Sequence, residues 1–126
     1  MLDLAHSSRY HWGLVGDARA KAIADWQVSR VYAAVREPRL SMRYARACLA
    51  MCDEHGLKEL ACTAEEALAR ACASASDLRG GRRHLARARA LLEAAKLDAE
   101  GRAVYGGQIL ETERLLRRVA ARRPTA

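Results

Sequence analysis

Thiols and an imidazole lie close together near the middle of the chain. Cys48, Cys52 and His55 are spaced four and three residues apart, and Cys62 follows them. On a helix this spacing places the groups on one side, where they could bind zinc. Cys48 and Cys52 also continue an apolar helical stripe, which favours buried thiols, and the cysteines lack the spacing of a secreted disulfide framework. We therefore predict reduced cysteines, no metal site and no cofactor.

The densest run of reactive side chains is 7–12, Ser-Ser-Arg-Tyr-His-Trp. A serine and a histidine there could act as nucleophile and base. A nucleophilic site also needs an orienting acid and an oxyanion hole, and no Gly-x-Ser-x-Gly motif accompanies the run. The segment 77–83 carries glycines and arginines before a helix, but it lacks the preceding strand and the Lys-Ser/Thr of a phosphate-binding loop. We predict no catalytic residues and no enzymatic activity.

Arginine dominates the charge of the chain, which has 22 Lys and Arg against 15 Asp and Glu, a net charge of +7. Arginine suits carboxylate and phosphate partners because its guanidinium forms two parallel hydrogen bonds with them. Two groups stand out: Arg79, Arg82, Arg83, Arg87 and Arg89, and then Arg117, Arg118, Arg122 and Arg123. Helical spacing predicts that the first group is split over more than one face, and no aromatic residues are interleaved with it. A basic nucleic-acid-associated helical protein is the alternative function.

The composition bounds the class of protein. A chain of 126 residues allows one domain and excludes an enzyme with separate cofactor and substrate modules. Hydrophobic residues make up 51%, yet there is no run of eighteen apolar residues, so we predict no membrane association through a spanning helix. About a fifth of the chain is alanine and there is no Phe, which favours closely packed helices. The first residues lack the basic start and apolar run of a leader, so we predict a cytoplasmic protein.

Helical periodicity predicts about six antiparallel helices in one domain, residues 1–120, followed by a frayed basic tail, 121–126. The first predicted helix ends near Val15, and the second and third cover about 18–35 and 38–55. The fourth begins at Thr63 and the fifth follows Gly80-Gly81. The sixth runs from Asp98 to about Arg118. Short connections between helices make neighbours antiparallel and leave a bundle or a solenoid of helical hairpins.

Capping residues mark several of these boundaries. Asp17 and Asp98 are N-cap residues, and Gly56 can take the left-handed conformation that ends a helix. Thr63 and Glu66 match the Thr-x-x-Glu capping box and predict a helix start at Thr63.

An internal repeat distinguishes the two architectures. Val28-Ser29-x-x-Tyr32 matches Leu68-Ala69-x-x-Cys72 at an offset of 40 residues. At the same offset, Ser41, Ala45 and Cys48 match Gly81, Leu85 and Ala88. A repeated helical hairpin of this kind favours the solenoid.

The spacing of small and large residues resembles the tetratricopeptide repeat (TPR) over about residues 20–96. In that family a small residue of helix A admits helix B and an aromatic residue three positions later fills the groove. Ser29 and Tyr32 hold those places in the first unit, and Ala69 and Cys72 in the second. The repeat is 40 residues long where the family has 34, and Arg36 stands where a turn glycine is usual. A longer link over 56–61 would accommodate the difference. The segment 25–32 is also similar to short bacterial TPR-like proteins with no assigned activity.

The resemblance implies an all-α, TPR-like fold and a concave inner face. Its inner positions fall on Ile23, Trp26, Arg30, Ala33 and Ala34, and on Thr63, Glu66, Arg70, Ala73 and Ser74. Trp26, Arg30, Glu66 and Arg70 are the predicted ligand-binding residues, with Gln108 or Glu111 closing one end. Such a groove suits an extended peptide with a carboxylate, or another small anion. Alternatively, Glu66 and Arg70 merely pair at i and i+4 on a solvated helix face.

These observations predict an interaction module or small adaptor that binds another protein or peptide. The chaperone-binding members of the family use Lys and Asn where Trp26 and Arg30 stand, so a receptor for chaperone tails is not expected. The last helix also predicts a homodimer, because it carries more apolar residues than one inner stripe needs. Those residues are Leu110, Leu115, Leu116 and Val119. Arg114, Arg117 and Arg118 would then pair with Glu111 and Glu113 of the other chain.

Overall fold

The structure is a computed structural model that describes residues 17–122, which form five α-helices and no strand. The helices are α1 (Ala18–Ala34), α2 (Pro38–His55), α3 (Lys58–Ser74), α4 (Leu78–Ala94) and α5 (Ala99–Arg122). The all-α class is therefore confirmed. The predicted helix that ends near Val15 lies outside the described residues, so the count of six is not tested. None of the five helices has the length and apolar character needed to span a bilayer.

Helix α3 is the centre of the array and packs against each of the other four helices. Helix α1 pairs with α2 and α4 pairs with α5, while α2 and α4 do not contact each other. Most of α3 is buried, from Leu60 to Ala69 and again from Ala71 to Ala73. Its many alanines let the neighbouring helices approach closely on all sides. Helices α1 and α3, the first helices of the two hairpins, are in contact.

Three of the predicted caps are confirmed. The Asp17 carboxylate accepts hydrogen bonds from the backbone N–H groups of Arg19 (3.0 Å) and Ala20 (3.3 Å). Asp98 accepts one from the Gly101 N–H at 2.7 Å. Gly56 ends α2 with φ of 65°. Each cap satisfies a helix-end group or supplies the left-handed residue that turns the chain.

The predicted helix start at Thr63 is wrong. Helix α3 begins at Lys58, two residues after Gly56, and both Thr63 and Glu66 are buried within it. The segment 56–61 is therefore not a long link, because Leu60 and Ala61 already belong to the core formed with α1 and α2. Burial of these apolar side chains favours a helix that begins before Thr63, even though the side chain of the N-cap residue Leu57 forms no capping hydrogen bond.

The predicted start of the fifth helix after Gly80-Gly81 is also too late. Helix α4 begins at Leu78, and Asp77 caps it by accepting from the Gly80 N–H at 3.0 Å. Both glycines are buried inside the helix. A Cβ added at Gly81 would lie 2.5 Å from Cδ2 of Leu116, so the missing side chain lets α5 pack close to α4. Helix α5 likewise continues to Arg122, into the predicted tail.

The forty-residue offset is reproduced in the backbone at the ends of α1 and α3. Arg36 and Ser76 both have φ of 59°. In each turn the following N–H donates to the carbonyl five residues earlier at 2.8 Å, Glu37 to Tyr32 and Asp77 to Cys72. The two hairpins thus share the same helix-ending motif.

The crossings inside the two hairpins are built from small residues, as predicted. Ser29 and Ala69 are completely buried. Between α1 and α2, the Ser29 hydroxyl donates to the Ser41 carbonyl at 2.8 Å, and the Ser41 hydroxyl donates to the Ser29 carbonyl at 2.9 Å. Between α3 and α4, Gly81 occupies the position equivalent to Ser41, so small apolar groups replace the hydroxyl pair.

Candidate ligand groove

A groove of about 730 Å³ lies between the C-terminal halves of α1, α3 and α5. Four arginines line it: Arg30 and Arg36 from the first hairpin, Arg70 from α3, and Arg122 from the end of α5. Its apolar wall includes Val31, Leu115 and Val119. The lining within residues 17–122 contains no carboxylate, so the groove combines basic side chains with apolar surface.

The predicted inner-face residues divide between this groove and the packed interior beside it. Arg30, Ala33, Ala34, Arg70, Ala73 and Ser74 line the groove. Trp26 and Glu66, also predicted to bind ligand, do not line it but support two of its arginines. Ile23 and Thr63 do not line it either.

Trp26 positions Arg30. The Arg30 guanidinium lies 5.2 Å from the centroid of the Trp26 ring, on its face. A cation in this position is attracted by the electron-rich ring face. Arg30 also lies 3.7 Å from a carboxylate oxygen of Glu111, across the groove on α5. The Arg30 side chain is about one-third exposed, so it remains open to solvent at the rim.

Arg70 connects α3 to α5. Its Nε donates to Glu66 at 3.2 Å, and an Nη donates to the Thr112 hydroxyl at 3.1 Å. The same Nη lies 3.6 Å from Glu111. The Glu66–Arg70 pair expected on a solvated face does form, but it is not solvated, because the Glu66 side chain is 1% exposed and that of Arg70 is 12% exposed.

Glu66 is a buried carboxylate whose ionisation is opposed by its surroundings. Burial raises its pKa above the ordinary value of 4.5, while Arg70, Thr112 and Arg30 act in the opposite direction. Its Oε2 accepts from Arg70 and from the Thr112 hydroxyl, at 3.2 and 3.1 Å. Its Oε1 has no hydrogen-bond partner among the described residues. Removing Arg70 would leave this carboxylate without its main counter-charge.

Helix α5 supplies the groove residues that sequence reasoning largely missed. Glu111 was expected near one end, but Thr112 and Arg122 were not expected at the site, and Arg36 was assigned only to a turn. The repeat alignment stops before α5, so it gave no register for that helix. Neither Gln108 nor Glu111, the two expected closing residues, lines the groove itself, although Glu111 lies beside Arg30 and Arg70 at its rim.

The cysteines lie in the packed interior. Cys48 and Cys52 belong to the core between α1, α2 and α3, whereas His55 is exposed at the end of α2. The Cys62 thiol faces α4 and donates to the Ala88 carbonyl at 3.3 Å. Burial, and then the nearby Glu66, raise the pKa of Cys62 to about 11. No group of three or more metal-ligating side chains occurs within residues 17–122.

Two further candidate regions have different outcomes. The reactive run 7–12 lies outside the described residues. The segment 77–83 forms the cap and first turns of α4.

One buried polar pair was not anticipated from the sequence. The Glu65 carboxylate lies 2.8 Å from Nδ1 of His84, and this contact joins α3 to α4.

The apolar face predicted for self-association is mostly internal. Leu116 is 4% exposed and packs in the core, with Leu115 and Val119 half-buried against the same cluster. Leu110 is 51% exposed. Glu113, expected to pair with another chain, binds Arg117 at 2.9 Å and Arg89 at 2.7 Å within this chain. Leu116 is therefore not available for contact with a second chain, because α5 uses it to pack against α4, and the homodimer stays a prediction.

Comparison of the chain with protein-family models, curated proteins and solved structures finds no match in any of the three.

Proposed function

We infer that the chain is a TPR-like interaction module that holds an acidic segment of a partner protein in the groove between α1, α3 and α5. The single observation that carries this proposal is the position of Glu111. Its carboxylate, 57% exposed, lies between two groove arginines, 3.7 Å from Arg30 and 3.6 Å from Arg70. The groove rim therefore already binds a carboxylate, supplied by its own chain.

The shape of the groove favours an extended peptide. Its basic residues are distributed from Arg30 at the rim to Arg36 and Arg122 near the helix ends, with Val31, Leu115 and Val119 beside them. A segment with acidic and apolar side chains would match both kinds of surface. Guanidinium–carboxylate hydrogen bonds would supply orientation, and burial of apolar side chains would supply affinity.

The solenoid architecture is supported by the repeated turns at Arg36 and Ser76 and by the neighbouring placement of α1, α3 and α5. In such an array the first helix of each hairpin contributes to a common inner face. Helix α5 then acts as the first helix of an incomplete third unit.

The proposal is tested by titrating a fluorescent peptide of alternating Glu and Leu residues into the protein. The comparison peptide has Gln in place of Glu. We expect the acidic peptide to bind and the double variant Arg30→Gln/Arg36→Gln to weaken binding by about tenfold or more, because two charge-assisted contacts are lost. Arg70 is left unchanged since it also holds the buried Glu66.

The matched control is Arg19→Gln/Arg102→Gln, which removes the same charge from exposed positions near the N-terminal ends of α1 and α5. Binding to this control should change by less than about twofold, since its charges lie away from the groove. Equal binding of the acidic and neutral peptides, or equal loss in both double variants, would contradict a carboxylate-binding groove.

A further inference from the structure

Apart from Arg89, seven exposed arginines lie along α2 and α4, the two helices that do not line the groove. They are Arg39, Arg43 and Arg46 of α2, and Arg79, Arg82, Arg83 and Arg87 of α4. We call them the outer arginine surface.

The arginines form two rows in matching register. Arg39 and Arg43 are equivalent to Arg79 and Arg83 at the forty-residue offset. Residues four apart on a helix lie about 6 Å apart along its axis and on the same side. On α4, a rotation of 100° per residue places residues 79, 82, 83 and 87 within about 140° of one another. Arg89 lies only about 20° from Arg82 around the helix, but its guanidinium pairs with Glu113 of α5 at 2.7 Å. The five arginines of α4 thus spread over about 160° of the helix surface, as expected from the sequence, and the rest of the circumference carries the buried residues of α4.

The two rows lie on a common side of the molecule, behind α3. Helix α3 packs against both α2 and α4 on this side, while α1 and α5 approach it around the groove. The Cys72 thiol of α3 is close to both rows. Burial, and then the nearby Asp77 carboxylate, raise the pKa of Cys72 to about 11, while Arg83 of α4 and Arg46 of α2 both act in the opposite direction.

None of these seven guanidiniums forms an ion pair within the described part of the chain. In contrast, Arg30, Arg70, Arg89 and Arg117 all pair with carboxylates. The outer arginine surface therefore keeps its full positive charge, and like charges in register repel one another. A ligand with regularly spaced negative charges would relieve that repulsion and release its own counterions.

We propose that the outer arginine surface binds the phosphate backbone of double-stranded nucleic acid. Tyr44, which lies among the α2 arginines, already stacks on Tyr32 with the ring centroids 5.7 Å apart. The surface therefore offers charge without a stacking platform, which fits a duplex backbone better than unpaired bases. A lipid surface fits less well, because the large exposed apolar residues within 17–122 are Val35, Val104 and Leu110, and none belongs to α2 or α4.

The test measures fluorescence anisotropy of a short labelled DNA duplex over a series of salt concentrations. Seven phosphate contacts would give a slope of log K against log salt of about −6. The double reversal Arg43→Glu/Arg83→Glu should weaken binding at least about tenfold and make the slope shallower by about 2, since two contacts are lost. Circular dichroism checks that the variant keeps its helices.

The matched control Arg19→Glu/Arg102→Glu changes the net charge equally at positions outside the outer arginine surface. It should retain the wild-type slope and lose less than about threefold in affinity. Equal loss in the control would overturn the proposal, because net charge alone would then explain binding.

Three companion ligands complete the experiment: an RNA duplex, the single strand of the same DNA, and vesicles containing phosphatidylserine. Tighter binding of the DNA or the RNA duplex than of the single strand supports the proposal. The duplex that binds more tightly then shows whether the phosphate backbone comes from DNA or RNA. Tighter binding of the single strand, or binding of the vesicles without binding of a duplex, overturns it.

Discussion

Arg36 and Ser76, forty residues apart, have the same left-handed backbone conformation, with φ of 59° at both positions. Neither is a glycine, although each follows the C-cap of a helix, where glycine is usual. An L-residue in this conformation costs roughly 1–2 kcal/mol. The turn geometry is therefore shared by the two hairpins even though its residue type is not.

Replacing Arg36 by Gly should stabilise the protein. The left-handed strain is removed, and part of the gain is offset by the greater freedom of glycine in the unfolded chain, so we expect a net rise of about 0.5–1 kcal/mol in the free energy of unfolding. Urea titration measures it. Arg36→Ala is the control, since it retains the Cβ and should bring no such gain. A lower stability for the glycine variant would contradict the strain argument.

Leucine at either hairpin crossing should destabilise the fold. Ser29 and Ala69 are completely buried where two helices cross, so Ser29→Leu and Ala69→Leu should each cost about 1–3 kcal/mol through overpacking. The exposed Ala50 of α2 offers a matched site, and Ala50→Leu should change the stability by less than about 0.5 kcal/mol. Thermal or urea unfolding of the three variants makes the comparison. Similar effects at all three positions would contradict the close crossings.

The buried Glu66 predicts a specific pH dependence. Burial raises its folded-state pKa above 4.5, so its favourable contribution is complete below that pH and is lost as the pH rises through the raised pKa. The wild type should therefore lose stability relative to Glu66→Gln as the pH increases above 4.5. Urea titrations of both proteins over a pH series give the difference, in which groups common to both cancel. A difference that is independent of pH would argue against a raised pKa.

Removing the carboxylate of Glu111 should improve binding of the acidic probe peptide. In the free protein this side chain is near Arg30 and Arg70 and competes with a ligand carboxylate. For an exposed pair the expected gain is about two- to fivefold, since such pairs contribute up to about 1 kcal/mol. Peptide titration of Glu111→Gln measures it. Exposed Glu100→Gln, in the first turn of α5, is the control and should leave the affinity unchanged. Weaker binding to Glu111→Gln would show that this residue supports the ligand instead.

Introducing a charge at two leucines of α5 should affect folding very differently. Leu116 is 4% exposed and Leu110 is 51% exposed, so Leu116→Glu should unfold the chain while Leu110→Glu leaves the helical signal intact. Circular dichroism distinguishes the two outcomes.

Light scattering of the folded samples also tests the dimer predicted from the sequence. A mass twice 13.9 kDa that Leu110→Glu halves would support a dimer through this face, and a mass of 13.9 kDa at all concentrations would contradict it.

The sequence by itself was sufficient for the local features, because these depend on residues close together in the chain. Helical periodicity, the caps at Asp17 and Asp98, the end of α2 at Gly56 and the small residues at the crossings were all predictable. The offset of 40 residues also identified Ser29 and Ala69 as equivalent positions. Periodicity and capping are short-range effects of backbone geometry, and a single sequence records them directly.

Tertiary packing decided what local patterns could not. Thr63 and Glu66 match a capping box, yet burial of Leu60 and Ala61 extends the helix past them. Gly80-Gly81 reads as a break, but Leu116 of a distant helix packs against Gly81 and keeps the pair inside α4. Arg70 and Glu66 are neighbours on one helix, but whether they are solvated depends on Thr112 and Glu111, which belong to a different helix. The free energy gained by burial comes from contacts between helices that are distant in the sequence. Local patterns therefore do not determine it, and the packed structure does.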